Sequence, residues 1–446
     1  MPSNSEDLYN QLGESYEKSY GDNPGQAKIL DIVLQKIPPK SKILDVGCGT
    51  GKPMAEGFAQ AGHEVHGIDS SQTMIDIARS QVKGHFERCN MTEYKAQTTF
   101  DVVLGSFSLF HITRDETYSM IFRFAEWLKP GGLCVMNTVL ADYLVKDPKL
   151  FDDSGECVRH YPHPWMGNTY DITLFTRTGW IEMFEKAGLT FETEVYAPWP
   201  ATDQHGEEEL YLLVLRKTQK EPLFGPYPLP PSYGGPRKFN AAGVLALAQR
   251  MGGNETSRIE ELLKNSKKLL DMNEPCRESL PYPDNQFDTV MANSSLQYVT
   301  DLDKSLHEMA RVVDSSNPES FIIVTQPGPD SKVMNLINKV AVPLSQDANF
   351  DHHGKILHRA SEIFAEHGFG NITVRRVEEV CNFPEKDLSA RCSEAAKILA
   401  GLWFIDDPGY EKMQQALIPE LELHFRDSPH VIGYQTVTLV ARPTKS

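Results

Sequence analysis

The sequence predicts two α/β domains in tandem, the first of them a doubly wound sheet with helices on both faces. One observation is a short apolar segment, Ile43–Val46, that leads into glycines at alternating positions and then into a helical pattern. A second is the alternation of strand-like and amphipathic helical segments as far as residue 218. A third is an imperfect repetition of the first half within the second. A chain of 446 residues is long enough for two separate hydrophobic cores.

Three glycines follow the first predicted strand: Gly47, Gly49 and Gly51. A strand that passes through bare backbone into a helix N-terminus lets a ligand lie against the chain, because no Cβ keeps it away. The second predicted strand, residues 64–68, ends at Asp69. An acidic residue at this place in a doubly wound sheet accepts hydrogen bonds from both ribose hydroxyls of a nucleoside. The pattern therefore predicts a nucleoside-binding cleft.

The segment LDVGCGTG followed by GIDSS resembles the first two motifs of class I S-adenosylmethionine-dependent methyltransferases. The resemblance implies a seven-stranded Rossmann-like domain with S-adenosylmethionine as cofactor and in-line methyl transfer from its sulfonium. It also implies that the glycine loop shapes the methionine end, that Asp69 holds the ribose and that Asn90 accepts a hydrogen bond from the adenine amino group. The family usually has an acidic residue at this last position. The residues expected to bind the cofactor are Asp45, Gly47, Cys48, Gly49, Gly51, Asp69, Ser70, Asn90, Met91 and Ser106.

The other elements of the first domain follow from hydrophobic periodicity and turn residues. The predicted helices are residues 27–37, 54–61, 74–82, 117–128 and 180–187. The predicted strands that complete the sheet are residues 85–89, 100–106, 133–139, 191–196 and 209–215. The turn LKPGG before residues 133–139 is also typical of the methyltransferase family.

His111 and Tyr16 are candidates for contact with the reacting groups. His111 follows the strand 100–106, and ligands of open α/β sheets lie outside the carboxyl ends of the strands. It either acts as a base or only orients its loop, and a base is required only if the acceptor must lose a proton. Tyr16 shares a helix face with Tyr20, and it either packs that helix or closes on the cofactor.

Residues 140–177 are rich in aromatic side chains and are predicted to be an irregular cover over the acceptor. Trp165 could stack on a substrate, and His160 and His163 could accept a proton. The two histidines have no third metal ligand at a suitable spacing, so no metal site is predicted.

The second half repeats the first but lacks the glycine loop. QFDTVMANSSLQYVT at 286–300 matches TFDVVLGSFSLFHIT at 99–113, and Tyr298 stands where the first half has His111. Residues 238–280 contain no strand followed by alternating glycines, so the backbone could not approach a cofactor closely.

We therefore expect a catalytic domain at 1–218, a Pro/Gly-rich linker at 219–237 and a degenerate methyltransferase-like domain at 238–446. The degenerate domain would pack on the first one, form a homodimer or wall the acceptor pocket.

Composition narrows the choice of partners. A net charge of −17 without a Lys/Arg run argues against nucleic acid, and no apolar segment is long enough for a membrane span. The polar N-terminal residues and seven cysteines without CxxC pairs favour the cytoplasm.

The predicted reaction is methylation of a nitrogen, oxygen or sulfur atom of a small molecule. Tandem phosphobase methyltransferases are similar in arrangement, but the sequence offers no recognisable cationic phosphate contacts. The alternatives are a protein methyltransferase whose second domain docks its partner, and a regulatory protein that binds the cofactor without turnover.

Overall fold

A computed structural model describes residues 5–21, 23–200, 206–272, 278–346 and 352–444. The chain divides into two compact units, Met1–Pro222 and Leu223–Ser446. In the described residues, no helix is both long and apolar enough to cross a bilayer.

The first unit is built on a seven-stranded mixed sheet. The strands of this unit are β1 (Lys42–Val46), β2 (Glu64–Asp69), β3 (His85–Arg88), β4 (Phe100–Ser106), β5 (Leu128–Val139), β6 (Cys157–Trp165), β7 (Asn168–Phe175), β8 (Leu189–Trp199) and β9 (Glu208–Lys217). The sheet order is β3-β2-β1-β4-β5-β9-β8. The first five strands in this order are parallel, whereas β9 runs antiparallel to both of its neighbours. The seven-stranded sheet predicted from the sequence is confirmed.

Helices cover both faces of this sheet. They are α1 (Ser5–Leu12), α2 (Glu14–Tyr20), α3 (Pro24–Leu34), α4 (Met54–Gln60), α5 (Gln72–Gln81), α6 (Arg114–Trp127), α7 (Ala141–Leu144) and α8 (Arg177–Lys186). Phe124 of α6 and Trp180 of α8 belong to the core on one face, and Ile29 of α3 and Phe58 of α4 belong to the core on the other. Because side chains of a strand alternate between faces, the apolar run of β1 supplies both cores.

Residues 140–177 are regular for much of their length, so the prediction of an irregular cover is wrong. Strands β6 and β7 form an antiparallel hairpin. Its turn residues Met166 and Gly167 both have positive φ, as the preferred two-residue hairpin turns require. Partly buried and exposed residues alternate along β6. Pro162 and Pro164 conceal this pattern in the sequence, since proline is normally confined to strand edges.

The second unit contains a smaller sheet. The strands of this unit are β10 (Leu269–Asp271), β11 (Thr289–Asn293), β12 (Phe321–Pro327), β13 (Asn371–Val377), β14 (Val380–Asn382), β15 (Val431–Gly433) and β16 (Thr436–Arg442). Strands β14 and β15 form a separate two-stranded sheet. Its helices are α9 (Ala241–Ala248), α10 (Asn254–Leu263), α11 (Leu302–Val312), α12 (Lys332–Leu336), α13 (His353–Glu366), α14 (Leu388–Gly401) and α15 (Tyr410–Asp427). The last two helices, α14 and α15, pack in a second core of this unit that they share with α9 and α12.

The sheet of the second unit repeats part of the first. Its order β10-β11-β12-β16-β13 reproduces β1-β4-β5-β9-β8, with the same parallel and antiparallel pairings. Phe107 and the equivalent Ser294 both have positive φ, and each precedes a 3₁₀ turn that ends at His111 or Tyr298. Within the described residues, this sheet has no strands equivalent to β2 and β3. The second unit therefore has strands equivalent to β1, β4, β5, β9 and β8, but its described residues include no equivalents of the strands that lead to Asp69 and Asn90.

The segment predicted as a linker packs largely on the second unit. Leu223 and Phe224 lie in its core. The hydroxyl of Tyr233 donates to the carbonyl of Leu296 at 2.8 Å, and the N–H of Arg237 donates to that of Gln297 at 2.7 Å. Apolar side chains among the prolines thus bind this segment to a core.

Candidate active site

The glycine loop after β1 has a backbone conformation that favours glycine. Gly47, Gly49 and Gly51 have φ values of 75°, 52° and 84°. A Cβ on Gly47 would lie 2.4 Å from the Cβ of Ser108, so a side chain there would displace the loop after β4. A Cβ on Gly49 would lie 3.5 Å from the ring of Tyr16. The loop therefore exposes bare backbone beneath an aromatic side chain.

Asp69, at the end of β2, is held in place by two backbone groups. One carboxylate oxygen accepts the N–H of Gly49 at 2.9 Å, and the other accepts the N–H of Ser71 at 2.8 Å. Each oxygen retains a second lone pair, so the carboxylate can also accept hydrogen bonds from two hydroxyls. Burial raises the pKa of Asp69 above the usual range of an aspartate. Ser71, rather than Ser70, caps α5 by accepting the N–H of Met74.

The first cavity, which we call the cofactor cleft, contains about 1,050 Å³ of empty space, part of it open to solvent, and lies outside the carboxyl ends of β1, β2 and β4. Seven residues expected to bind the cofactor line it: Gly47, Gly49, Asp69, Ser70, Asn90, Met91 and Ser106. The other three, Asp45, Cys48 and Gly51, lie beside it without lining it.

Asp45 is a buried carboxyl group next to the cofactor cleft. It is 3% exposed, and its Oδ1 has no hydrogen-bond partner among the described residues. Burial, together with the nearby charge of Asp69, raises the pKa of Asp45 to about 8. A cation bound above the glycine loop would favour the ionised form. The bare backbone and this carboxyl group fit S-adenosylmethionine, whose methionine end carries an ammonium and a sulfonium.

Asn90 is engaged differently from the prediction. Its side-chain oxygen accepts hydrogen bonds from both the N–H and the hydroxyl of Thr92, each at 3.0 Å. Asn90 still lines the cleft. Its contact with adenine stays a prediction. Because the side-chain oxygen already accepts two hydrogen bonds, the side-chain NH₂ would donate to the adenine in such a contact.

The second cavity, which we call the acceptor chamber, contains about 610 Å³ of empty space, part of it open to solvent. Its wall is mainly aromatic, with Tyr9, Tyr16, Tyr20, Phe107, Phe110, His111, His163, Trp165 and Tyr170 among the lining residues. They come from the N-terminal helices, the turn after β4 and the β6–β7 hairpin. The hairpin thus contributes to the wall of the chamber, as the cover was expected to do.

Four residues line both cavities and form what we call the junction: Tyr9, Tyr16, Phe107 and His111. The hydroxyl of Tyr9 and Nε2 of His111 are hydrogen-bonded at 2.9 Å. Burial lowers the pKa of His111 to about 4 and raises the pKa of Tyr9. Both groups are therefore uncharged at neutral pH, and the His111 imidazole retains an acceptor or donor nitrogen according to its tautomer.

The four predicted acceptor-site residues do not all meet. Tyr16 and His111 lie in the junction, and His163 lines the chamber. Burial lowers the pKa of His163, which favours a neutral ring. His160 is exposed, at the irregularity in β6, and lines neither cavity.

Sequence reasoning missed Tyr9 and Glu208. Tyr9 precedes Tyr16 by seven residues, a helical spacing that could have indicated a shared face, although Gly13 interrupts the helix. Glu208 is 8% exposed and accepts a hydrogen bond from the hydroxyl of Tyr20 at 3.3 Å. It stands in a run of three glutamates, so nothing in the sequence distinguishes it.

Polar contacts fasten α1 and α2 over the cleft. Glu17 of α2 pairs with Lys52 of the glycine loop at 3.2 Å and accepts from Gln81 at 2.5 Å. Asn10 of α1 accepts the hydroxyl of Ser71 at 2.8 Å. Tyr9 and Tyr16 are held in the junction by these helices.

Comparison with known proteins finds a match to a methyltransferase domain in each half of the chain. Residues 43–132 and residues 254–316 each match a family profile described as a methyltransferase domain. The first match spans the glycine loop, Asp69 and the turn after β4. The first region belongs to a class I methyltransferase domain, and the chain is an S-adenosylmethionine-dependent methyltransferase. S-adenosylmethionine is its cofactor.

The methyltransferase resembles curated relatives over part of its length. An uncharacterized methyltransferase of Bacillus cereus is 25% identical, over 35% of this chain and 74% of the relative. The dTDP-3-amino-3,4,6-trideoxy-alpha-D-glucopyranose N,N-dimethyltransferase of Streptomyces venezuelae is 26% identical, over 37% of this chain and 81% of the relative. Among solved structures, the N-methyltransferase NodS from Bradyrhizobium japonicum WM9 with S-adenosyl-l-homocysteine is 17% identical. The match covers 49% of this chain and 100% of NodS, with a TM-score of 0.38.

Proposed function

We propose that the methyltransferase transfers a methyl group to a nitrogen, oxygen or sulfur atom of a small molecule held in the acceptor chamber. The observation that carries this proposal is the junction, where four side chains line both the cofactor cleft and the chamber. The wall of the chamber is mainly aromatic and apolar with few polar groups, as is usual for small-molecule sites. The second unit, without a glycine loop, would bind no cofactor.

The bound cofactor supplies an electrophilic methyl group on a sulfonium. The contribution of the protein is to hold the acceptor atom in line with that group, since such positioning can supply much of the acceleration. Asp69 and the glycine loop would hold the nucleoside and methionine parts. Tyr9 and His111 would orient the acceptor by hydrogen bonds. His111 is a weak base at neutral pH because its pKa is near 4.

Gly49→Val tests the position of the cofactor. The added side chain would enter the cleft beneath Tyr16, and we expect S-adenosylhomocysteine affinity to fall at least about tenfold, or about 1.4 kcal/mol. Gly62→Val is the matched control, because Gly62 also has a positive φ, 84° against 52° for Gly49, but has no atom within 4 Å of an added Cβ. Calorimetric titration of both full-length variants measures the effect. Equal affinities would refute this placement of the cofactor.

A further inference from the structure

The wall of the acceptor chamber contains one acidic side chain among aromatic and apolar ones. Among the described residues that line it, Glu208 is the only Asp, Glu, Lys or Arg. The two histidines of the wall have lowered pKa values and are neutral at pH 7. A ligand in this chamber therefore meets a carboxyl group and aromatic rings, and none of the described lining residues is a lysine or arginine that could bind an anion.

A fixed arrangement of rings surrounds this carboxylate. The indole N–H of Trp165 donates to the hydroxyl of Tyr20, which donates to Glu208. The ring of Tyr20 stacks on that of Tyr16 with centroids 5.5 Å apart, and the Trp165 ring lies 5.5 Å from the Tyr20 ring. Because Tyr16 also belongs to the junction, the carboxylate is only two stacked rings away from the place of methyl transfer.

Aromatic faces and a carboxylate together attract organic cations. A cation over the face of Trp or Tyr gains about 0.5–2 kcal/mol, and the gain is larger when water is excluded. A buried carboxylate also favours a cationic partner and penalises a second anion.

We propose that the acceptor is an organic amine that enters the chamber as a cation, and that Glu208 with Tyr20 and Trp165 selects it. This rests on the proposed function, since it names the chemical class of the acceptor in the same chamber. The proposal also excludes phosphorylated amines, because their phosphate would be repelled by the carboxylate of Glu208.

The reaction balances without a further reactant. The ammonium releases a proton to water, and the lone pair of the neutral amine then forms the new N–C bond. The S–C bond breaks as this bond forms, and its electron pair stays on sulfur. The products are the methylated ammonium and S-adenosylhomocysteine.

Two ligands of matched shape test the selectivity for charge: choline and its uncharged carbon isostere 3,3-dimethylbutan-1-ol. A third ligand, phosphocholine, adds a phosphate group to choline. Each is titrated into the full chain saturated with S-adenosylhomocysteine and followed by ligand-observed NMR. We expect choline to bind at least about fivefold more tightly than the isostere, and phosphocholine to bind more weakly than choline. An isostere or phosphocholine that binds as tightly as choline, or choline binding too weak to detect, would overturn the inference.

Variants assign the effect to Glu208. We expect Glu208→Gln to weaken choline binding at least about fivefold and to leave the affinity for the uncharged isostere unchanged, since only the charge is lost. Glu209→Gln is the matched control, because adjacent strand residues point to opposite faces. Equal effects of the two substitutions would overturn the assignment. A separate titration of S-adenosylhomocysteine into the same proteins before they are saturated distinguishes the two proposals, because its failure to bind the unaltered protein would refute the proposed function itself.

Discussion

Asp45 is the residue whose burial is hardest to explain by folding alone. A carboxyl group with a pKa near 8 and an oxygen without a partner destabilises the protein whenever it ionises. The pKa in the folded protein lies above that in the unfolded chain, so the folded state binds the extra proton. Stability is therefore lost as pH rises from about 4 to about 8. Such a cost is expected where a group serves a ligand.

Asp45→Asn should separate these two roles. The amide cannot ionise, so we expect the variant to resist urea better than the unaltered protein at pH 8.5, with a smaller difference at pH 5.5. S-adenosylmethionine affinity should fall by about tenfold, as expected for a lost charge-assisted contact of about 1.5–3 kcal/mol. Calorimetry and urea unfolding measure the two effects. A variant that is less stable at pH 8.5 and binds normally would contradict this role for Asp45.

At the scale of secondary structure, the first two helices connect the cofactor cleft to the acceptor chamber. Tyr9 of α1 and Tyr16 of α2 line both cavities. Glu17 of α2 forms the ion pair that connects this helix to the glycine loop. The ion pair with Lys52 is partly exposed, and such pairs contribute only about 0–1 kcal/mol. These helices are therefore held weakly enough for a ligand to change their stability.

Glu17→Ala should loosen α2 without unfolding the domain. We expect residues 5–21 to be cleaved several-fold faster by a protease, and S-adenosylhomocysteine to restore much of the protection. Glu14→Ala removes the same charge from an exposed position of the same helix and is the matched control. Limited proteolysis followed by mass spectrometry gives the rates. Cleavage that is equally fast in both variants would contradict the anchoring role of Glu17.

What the sequence predicts at this scale depends on how local the cause is. The glycine loop and Asp69 are recognisable because backbone conformation and strand ends are local properties. The β6–β7 hairpin was missed because two prolines interrupt its pattern. The roles of Tyr9 and Glu208 could not be predicted, because packing from distant segments brings them to the chamber.

For the whole molecule, the two units differ in two respects that predict a difference in cofactor binding. The second sheet lacks equivalents of β2 and β3 in the described residues, and residues 272–280 after β10 contain no glycine. Without these strands there is no carboxylate equivalent to Asp69. The repeat itself was predictable, since residues 99–113 and 286–300 match in sequence.

We therefore expect one S-adenosylhomocysteine per chain. Calorimetry on the full chain should give a stoichiometry of one, and residues 223–446 expressed alone should bind none. Each unit has its own hydrophobic cores, so the separate fragment is a reasonable test. Circular dichroism of the fragment is the folding control. Two sites per full chain would contradict our interpretation of the second unit.

The sharing of Tyr9 and Tyr16 by both cavities has a thermodynamic consequence. If a ligand in the cleft orders α1 and α2, it also completes the chamber wall, and the ligand in the chamber then no longer has to order them. Linkage requires the effect to be mutual, so the acceptor must raise the affinity for the cofactor by the same factor. The two substrates would then bind with positive cooperativity although they occupy separate cavities, and an acceptor affinity has meaning only at a stated occupancy of the cleft.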